Sequence, residues 1–182
     1  MADALASAKD VVTFWRDAGA ERWFKKDDAF DAEIKRRFLA AHEAAAAGKL
    51  RDWENSAEGA LALLILLDQF PRNMFRGDKR AFATDPLARA VTAGALIKGF
   101  DGQVGDMRGF FYLPFEHSED MADQERGVAL YKAAGDDDGL KWANMHADII
   151  RRFGRFPHRN KALGRATTPD EQKFLDDGGF SG

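Results

Sequence analysis

The sequence predicts an all-α protein built from antiparallel helices joined by short loops. Apolar residues recur at spacings of three and four along nearly every segment, which is the period of an amphipathic helix. Glycine, proline and capping residues separate these segments at the expected helix ends. No segment alternates convincingly at a period of two, and no strand–helix–strand unit is visible, so we expect no sheet.

Apolar stripes define three helices in the first part of the chain. The first helix ends at Gly19, and the second, with its stripe from Phe30 to Ala45, ends at Gly48. Residues 58–70 are apolar almost all round, so we expect this third helix at the centre of the domain. Pro71 should end or kink it, because proline lacks an N–H and its ring clashes with the carbonyl group one turn earlier.

Proline and capping residues mark the remaining helices. The pair Asp85-Pro86 fits an N-cap followed by the first helical position, which predicts a helix to about residue 98. After a glycine-rich loop, residues 108–134 are predicted to be helical, with one internal proline. Residues 142–156 carry a further stripe, and Thr168-Pro169-Asp170-Glu171 is a capping box that begins a short last helix.

Length and composition bound the class of protein. A chain of 182 residues suits one domain, so we expect a single domain over 1–182 with its core at about 5–178. The 15 Phe and 4 Trp residues argue against disorder. The absence of cysteine removes disulfide and thiolate chemistry and favours the reducing cytoplasm.

Charge and hydropathy argue against two classes of partner. The net charge of -3 gives no reason to expect nucleic-acid binding. The longest apolar run, residues 60–67, is much shorter than the roughly 20 residues that span a bilayer. The first ten residues lack the basic start and apolar stretch of a secretory signal. We therefore expect neither a nucleic acid nor a membrane as partner.

The first candidate site is the stretch Asp68-Gln69-Phe70-Pro71-Arg72-Asn73, at the end of the most apolar helix. Asp68 and Arg72 lie one turn apart if the helix continues, so they could form a polar site there. The structural alternative is that Pro71 frees the carbonyl of Leu67, Arg72 offsets the negative helix end and Asn73 forms a left-handed cap. Capping chemistry explains most of these residues, and the site hypothesis stays open beside it.

The second candidate site is the stretch from Arg108 to Asp120. If it is helical, one face carries Arg108, Tyr112, Glu116 and Glu119. His117 shares another face with apolar side chains, where it could be a core residue, a general base or a ligand. Glu116 and Asp120 are one turn apart and could hold a cation together, but the spacings typical of metal sites are missing. We predict no metal.

The third candidate site runs from His146 to Asn160. His146 lies within an apolar stripe, so we expect it to be at least partly buried. Titratable cationic side chains crowd the end of the same helix: Arg151, Arg152, Arg155, His158 and Arg159. This number exceeds what a helix end needs, so carboxylates or an anion must balance it. The alternatives are an internal network with Glu116, Glu119 and Asp120, a small anionic ligand, or catalysis.

Several motif-bearing classes are excluded. The sequence contains no glycine-rich phosphate loop, no Gly-x-Ser-x-Gly elbow and no zinc signature. Ser118 follows His117 directly, but adjacent residues on a helix do not form a nucleophile–base pair. No cofactor is predicted.

The three candidate stretches also carry a family resemblance. The matching motifs are Phe14-Trp15, Trp23-Phe24, Phe30-Asp31, Arg37-Phe38, Leu67–Asn73, Tyr112–Asp120 and Arg152–Asn160. Together they resemble the bacterial domain-of-unknown-function family 924 over about residues 10–175. The resemblance implies an all-helical fold similar to tetratricopeptide-like right-handed superhelices, with no established activity and no catalytic residues to carry over.

Three hypotheses about function follow. A tetratricopeptide-like array offers a groove, so the first is a protein that binds a small anionic molecule or a peptide between helices. Its candidate ligand-binding residues are Gln69, Arg72, Asn73, Arg108, Tyr112, Glu119, Arg155, His158, Arg159 and Asn160. The second is a hydrolase-like enzyme with His117 or His146 as general base and Glu116 or Asp68 as the orienting carboxylate. The third is a purely structural polar network. Convergence of His117, His146 and His158 on one cavity would favour the first two.

Overall fold

The computed structural model describes residues 5–181, which form helices and connecting loops with no strand. The all-α prediction is confirmed. The chain divides into two compact units, which are described separately. Unit 1 comprises Met1–Arg76 and Arg80–Pro114, and unit 2 comprises Gly77–Lys79 and Phe115–Gly182. The single-domain hypothesis concerns how the units associate and stays a prediction.

Unit 1 is built mainly from six helices of the described residues. They are α1 (Ala8–Ala18), α2 (Ala20–Trp23), α3 (Asp28–Ala46), α4 (Ala57–Leu64), α5 (Phe70–Met74) and α6 (Asp85–Ile97). Ser7 and Asp10 form a capping box at the start of α1, and the Asp27 side chain accepts from two N–H groups at the start of α3. These local contacts satisfy N–H groups that a helix start otherwise leaves unpaired.

The core of unit 1 surrounds α4, as its all-round apolar character predicts. Residues 60–67 are at most 3% exposed. Helices α1 and α6 pack directly against α4. Trp15 of α1 meets Phe70 edge to face, with ring centroids 5.5 Å apart, and Phe30 stacks on Trp15 at 6.1 Å. Burying each such side chain contributes roughly 1.5–3 kcal/mol, so this aromatic cluster is a large share of the driving force.

The helix expected to end or kink at Pro71 does not end there, and the residues before Pro71 change from α- to π-helical geometry. After α4, residues Ile65–Gln69 are π-helical, and the N–H of Phe70 donates to the carbonyl of Ile65, five residues back. Pro71 lies in the first turn of α5, where a missing N–H is tolerated. The wider π turn absorbs the proline without ending the helical run.

The start of α6 differs by one residue from the prediction. Thr84 occupies the N-cap position, and Asp85 is the first helical residue, followed by Pro86. Asp85 therefore does not cap the helix. Its carboxylate instead accepts two hydrogen bonds from Arg72, each 3.0 Å long.

Residues 108–134 are not one helix. A 3₁₀ segment (Gly105–Phe111) leads to a single turn, α7 (Leu113–Glu116), and a break precedes α8 (Met121–Ala134). Asp120 caps α8 by accepting from the N–H of Ala122. Pro114 in the first turn of α7 and Asp120 before α8 each restart the helix, which is why the stretch is interrupted.

Unit 2 contains a helical hairpin and a short last helix. Helix α8 ends at Gly135, whose φ of 69° is left-handed, and Asp136 caps α9 (Asp137–Phe153). The predicted capping box of Thr168 and Glu171 is confirmed at the start of α10 (Pro169–Asp176). Ile149, Ile150 and Phe156 form the buried core, with Phe174 and Phe180 packed against it. None of the helices within residues 5–181 combines the length and apolar character that crossing a bilayer requires.

Candidate functional site

The π-helical segment of unit 1 leaves backbone carbonyls that side chains satisfy. Because Pro71 has no N–H, it donates to neither Leu66 nor Leu67. The Nδ1 of His42 lies 2.9 Å from the carbonyl oxygen of Leu66, and the hydroxyl of Thr84 donates to that of Leu67 at 2.5 Å. A carbonyl only accepts, so Nδ1 of His42 carries a proton. Burial lowers the pKa of His42 and favours the neutral ring.

Arg72 lies between two buried carboxylates of unit 1. Besides its two bonds to Asp85, its Nη1 is 3.3 Å from Oδ1 of Asp68 and donates to the Asp68 carbonyl at 2.5 Å. Burial lowers the pKa of Arg72, but Asp68 and Asp85 outweigh it, and the pKa is raised overall. Gln69 donates to Asp68 at 2.6 Å. These contacts favour the structural interpretation of the first candidate stretch.

Asn73 is not a left-handed cap. Within residues 5–181, only glycines have positive φ values. Asn73 lies inside α5, and its amide donates to Oδ1 of Asp31 at 2.8 Å. Arg76 forms a two-pronged pair with the same carboxylate, so Asp31 ties α3 to α5.

Arg108 and Tyr112 contact the glycine-rich loop of unit 1 (residues 99–105). The hydroxyl of Tyr112 donates to Oδ2 of Asp101 at 2.8 Å, and Nε of Arg108 donates to the Asp101 carbonyl at 3.3 Å. The shared helical face predicted for these two residues with Glu116 and Glu119 was wrong, because no continuous helix joins them. Whether the first stretch meets the other two stays a prediction.

Glu116 and His146 form a buried pair in unit 2. Oε1 of Glu116, at the end of α7, lies 2.8 Å from Nδ1 of His146 in α9, with side chains only 3% and 7% exposed. The same Nδ1 is 2.9 Å from the carbonyl oxygen of Trp142. Both oxygens accept, so Nδ1 carries the proton and Nε2 is the nitrogen that is open to chemistry. The predicted burial of His146 is confirmed.

The other oxygen of this carboxylate is unusual. Oε2 of Glu116 is buried and has no hydrogen-bond partner among the described residues. A buried carboxylate oxygen is costly unless a water or a ligand donates a hydrogen bond to it, so this oxygen is a place where such a donor would bind. An unsatisfied buried polar group calls for an explanation, and a catalytic role is one such explanation.

Gln124 and Gly127 of α8 position Glu116. The side chain of Gln124, 1% exposed, donates to the carbonyls of Glu116 and Ser118, each at 2.6 Å. These bonds fix the break between α7 and α8. A Cβ at Gly127 would lie 3.5 Å from both the Glu116 nitrogen and Cβ of Phe115, which shows how closely α8 approaches this turn. No motif in the sequence indicates this role of Gln124.

Two further histidines and two phenylalanines lie near the Glu116–His146 pair. We define the histidine cluster as His117, His146, His158, Phe156 and Phe180. The His117 and His146 rings are 6.4 Å apart, and His146 lies 5.6 Å from Phe156 and 4.5 Å from Phe180. His158 packs on the same two phenyl rings, at 5.6 and 5.2 Å. The three histidine rings therefore lie near one another, and their convergence on one cavity stays a prediction. The sequence did not indicate Phe180.

A groove of about 520 Å³ adjoins the histidine cluster. Phe180 lines the groove on one side and contacts His146 on the other. Lys141 and Arg152 line it as well, and neither forms an ion pair with a carboxylate among residues 5–181. Asp148, also in the groove, is paired with Arg151. The groove is thus cationic next to a histidine.

A network of charged side chains joins the loops of unit 2. Its members, in order of contact, are Glu119, Arg165, Asn160, Glu171 and Arg155. Arg165 donates to both Glu119 oxygens at 2.7 and 3.0 Å and to Asn160 at 2.9 Å. Asn160 donates to Glu171 at 3.2 Å, and Arg155 donates to both Glu171 oxygens at 2.6 and 2.9 Å.

The network perturbs the pKa values of its carboxylates. The hydrogen bond from Arg155 is the main cause that lowers the pKa of Glu171 to about 2. Burial raises the pKa of Glu119, but hydrogen bonds from Arg165 and the Phe156 N–H outweigh it, and the pKa is lowered overall. Arg155 is thus paired with Glu171 and Glu119 with Arg165, with Asn160 joining the two pairs. The network is internal, but its partners differ from the predicted ones, because Glu116 and Asp120 take no part in it. Arg159 is buried, with its guanidinium 4.5 Å above the Phe156 ring.

No cluster of three or more metal-binding side chains occurs in the part of the chain that the structure describes. Glu116 and Asp120 do not form the cation site that was considered for them, because their carboxylates have different partners. Asp120 caps α8, whereas Glu116 faces His146.

Comparison with known proteins places this arrangement in a family. A family described as a bacterial protein of unknown function (DUF924) matches residues 11–179. The chain belongs to this family. A solved structure of a protein of unknown function from Agrobacterium tumefaciens shares 51% identity with this chain. The two structures match with a TM-score of 0.90, and the match covers 93% of this chain and 97% of the Agrobacterium chain. Curated proteins give no match. Membership of DUF924 confirms the resemblance that the sequence motifs indicated.

Proposed function

We propose that this DUF924 protein is a hydrolase-like acid–base enzyme in which His146 is the general base and Glu116 orients it. The observation that carries the proposal is the 2.8 Å contact between Nδ1 of His146 and Oε1 of Glu116, both of which are buried. A general base needs an orienting partner at such a distance, so that one nitrogen is fixed and the other accepts the proton.

The chemistry follows from this orientation. Glu116 holds the proton of His146 on Nδ1, so Nε2 takes a proton from water or from a substrate hydroxyl. The Glu116 carboxylate then stabilises the imidazolium that forms, more strongly than it would in bulk water because the pair is buried. Positioned acid–base catalysis of this kind contributes typically about 10²–10⁴-fold in rate.

Arg72 and Arg155 are already paired with carboxylates, which supports an acid–base enzyme over a protein that binds an anion at these arginines. Arg72 is already flanked by Asp68 and Asp85, and Arg155 by Glu171. An anionic ligand would have to displace these carboxylates. Binding of a small anionic molecule or a peptide remains the second candidate function, and the specific support for it is the groove with Lys141 and Arg152.

Two further properties belong to the same proposal. The first is a tetratricopeptide-like right-handed superhelix, for which the α8–α9 hairpin is the support, since such arrays are built from helical hairpins. The second is a cytoplasmic location, for which the cysteine-free sequence is the support.

Hydrolysis of chromogenic probes tests the proposed activity. The purified protein is assayed with p-nitrophenyl acetate, p-nitrophenyl phosphate and bis-p-nitrophenyl phosphate, beside His146→Gln, Glu116→Gln and the control His42→Gln. We expect hydrolysis of one probe class, a loss of about 100-fold or more in His146→Gln, and unchanged activity per folded molecule in His42→Gln. Equal activity of His146→Gln and wild type, or no hydrolysis of any probe, would overturn the proposal.

A further inference from the structure

The segment after α10 places an aromatic ring directly on the proposed base. The ring of Phe180 meets His146 at 69° with centroids 4.5 Å apart, and meets His158 at 84° and 5.2 Å. Edge-to-face contacts of this kind are specific to flat aromatic rings. Phe180 therefore occupies a position between two imidazoles that suits an aromatic group.

Two glycines shape the backbone that delivers Phe180. Gly178 has a φ of 82°, in the left-handed region. A Cβ at Gly179 would lie 2.5 Å from the carbonyl oxygen of Phe174 and 2.6 Å from its ring. A side chain at residue 179 would therefore push the segment away from α10, so the seat of Phe180 depends on glycine there.

Few contacts hold this segment against the rest of unit 2. The N–H groups of Gly178 and Gly179 donate to carbonyls at the end of α10, at 3.2 and 2.9 Å. Beyond Gly179, side-chain packing of Phe180 is the contact that the structure shows. A segment with two backbone hydrogen bonds and one packed ring opens at low cost compared with a helix.

Phe180 lines the groove and contacts the ring of His146, which does not itself line the groove. Displacement of the Phe180 ring would therefore free its position against the imidazole of the proposed base. The Lys141 and Arg152 charges would then lie on the same groove as the vacated aromatic position. Both side chains are exposed and lie over aromatic rings, Lys141 over Trp142 and Arg152 over Phe153 and Phe174. An anionic substituent in the groove would therefore meet two cations that have no ion-pair partner among the described residues.

We propose that the groove and the histidine cluster bind a small molecule that carries both an aromatic ring and an anionic group. The aromatic ring displaces Phe180 from His146 and His158, and Lys141 and Arg152 hold the anion. This inference names the substrate class of the proposed enzyme and rests on that function only in assigning His146 as the base.

Binding of phenylacetate tests the inference without any catalytic readout. The Cε1–H signals of 13C-histidine-labelled protein are followed by NMR, with His42 of unit 1 as internal reference. Cyclohexylacetate and phenylacetamide are the matched probes that lack the aromatic ring and the charge. The variants are Phe180→Ala, Gly179→Ala and the control Phe174→Ala, which removes a groove phenyl ring that packs on Phe153 instead of a histidine.

We expect phenylacetate to shift the His146 and His158 signals but not that of His42. Its affinity should be about tenfold higher in Phe180→Ala, because no ring has to be displaced first. Gly179→Ala should raise the affinity similarly without creating a cavity. Both matched probes should bind Phe180→Ala at least about fivefold more weakly than phenylacetate does, since each lacks one proposed contact.

Three results would overturn the inference: no shift of His146 in either tail variant, an equal gain of affinity in Phe174→Ala, or equal affinities for phenylacetate and cyclohexylacetate. A protein that binds phenylacetate as expected but shows no His146-dependent hydrolysis would overturn the proposed enzyme alone. His146-dependent hydrolysis without such binding would overturn this inference alone.

Discussion

His146 in α9 directs its Nδ1 at Oε1 of Glu116, 2.8 Å away, although 30 residues separate them in the chain. The bond is buried, and the second carboxylate oxygen has no hydrogen-bond partner among the described residues. The contact at Oε1 fixes the position of the imidazole ring, which is what an orienting carboxylate does.

Replacing Glu116 by glutamine separates the catalytic from the structural interpretation. The amide oxygen still accepts from Nδ1 of His146, and a neutral group is less costly to bury without a partner than a carboxylate. At pH 8 we therefore expect Glu116→Gln to change the free energy of unfolding by less than about 1 kcal/mol in urea titrations. A structural ion pair would instead lose about 3 kcal/mol or more when one partner is neutralised. Glu125→Gln, at an exposed position of α8, is the control.

Replacing Thr84 by valine tests whether its hydrogen bond to the Leu67 carbonyl stabilises the π-helical segment, and Thr92 is the matched control. Thr84→Val removes the hydroxyl that donates to the buried carbonyl of Leu67, so it should lower the free energy of unfolding by about 1–3 kcal/mol. The Thr92 hydroxyl is buried and has no hydrogen-bond partner among the described residues, so Thr92→Val should be neutral or stabilising. Equal losses in the two variants, measured by urea denaturation, would contradict this role of Thr84.

Glu171 should make stability depend on pH in acid. Its pKa is about 2 in the folded protein, against an ordinary value of 4.5. The stabilisation is therefore complete above about pH 4.5 and is lost as the pH falls toward 2. The stability difference between wild type and Glu171→Gln should shrink over that range. In Arg155→Met, NMR titration should show the Glu171 pKa rising toward its ordinary value, because Arg155 is the main cause of the shift. An unchanged pKa there would contradict the assignment.

Alanine substitutions at two helical glycines should change the free energy of unfolding in opposite directions. A Cβ at Gly59 would lie 2.2 Å from the carbonyl oxygen of Trp53, so Gly59→Ala should cost about 1–3 kcal/mol through overpacking. A Cβ at Gly94 in α6 would meet nothing within 4 Å, so Gly94→Ala should add about 0.5–1 kcal/mol through helix propensity. Thermal unfolding of both variants checks the signs. A stabilising Gly59→Ala would show that the loop at Trp53 moves freely.

Much of the helical fold follows from local signals. The stripes, the Thr168 capping box and the central apolar helix all have their causes within a few residues, so the sequence predicts them. The errors arise where a distant partner decides. Asp85 has the local features of a cap, but Arg72, 13 residues away, binds its carboxylate. Pro71 has the features of a terminator, but the π turn and Thr84 accommodate it.

The sequence predicted which residues belong to the candidate site but not which of them contact each other. The sequence named His117 and His146 because they share apolar faces, Glu116 because it lies on a predicted polar face, and His158 because it belongs to a cationic helix end. It gave no means to choose Glu116 over Asp68 as the partner of His146, because periodicity says nothing about contacts 30 residues apart. Phe180 lies in a glycine-rich tail without periodicity, so no local signal indicated its contact with two histidines.

The tautomer of His146 tests the central claim most directly. Long-range 1H–15N NMR, recorded where the imidazole is neutral, distinguishes a proton on Nδ1 from a proton on Nε2. We expect the proton on Nδ1 and a free lone pair on Nε2, because Glu116 and the Trp142 carbonyl both accept at Nδ1. A proton on Nε2, with Nδ1 unprotonated, would mean that Glu116 does not orient His146 as a base and would contradict the proposed function.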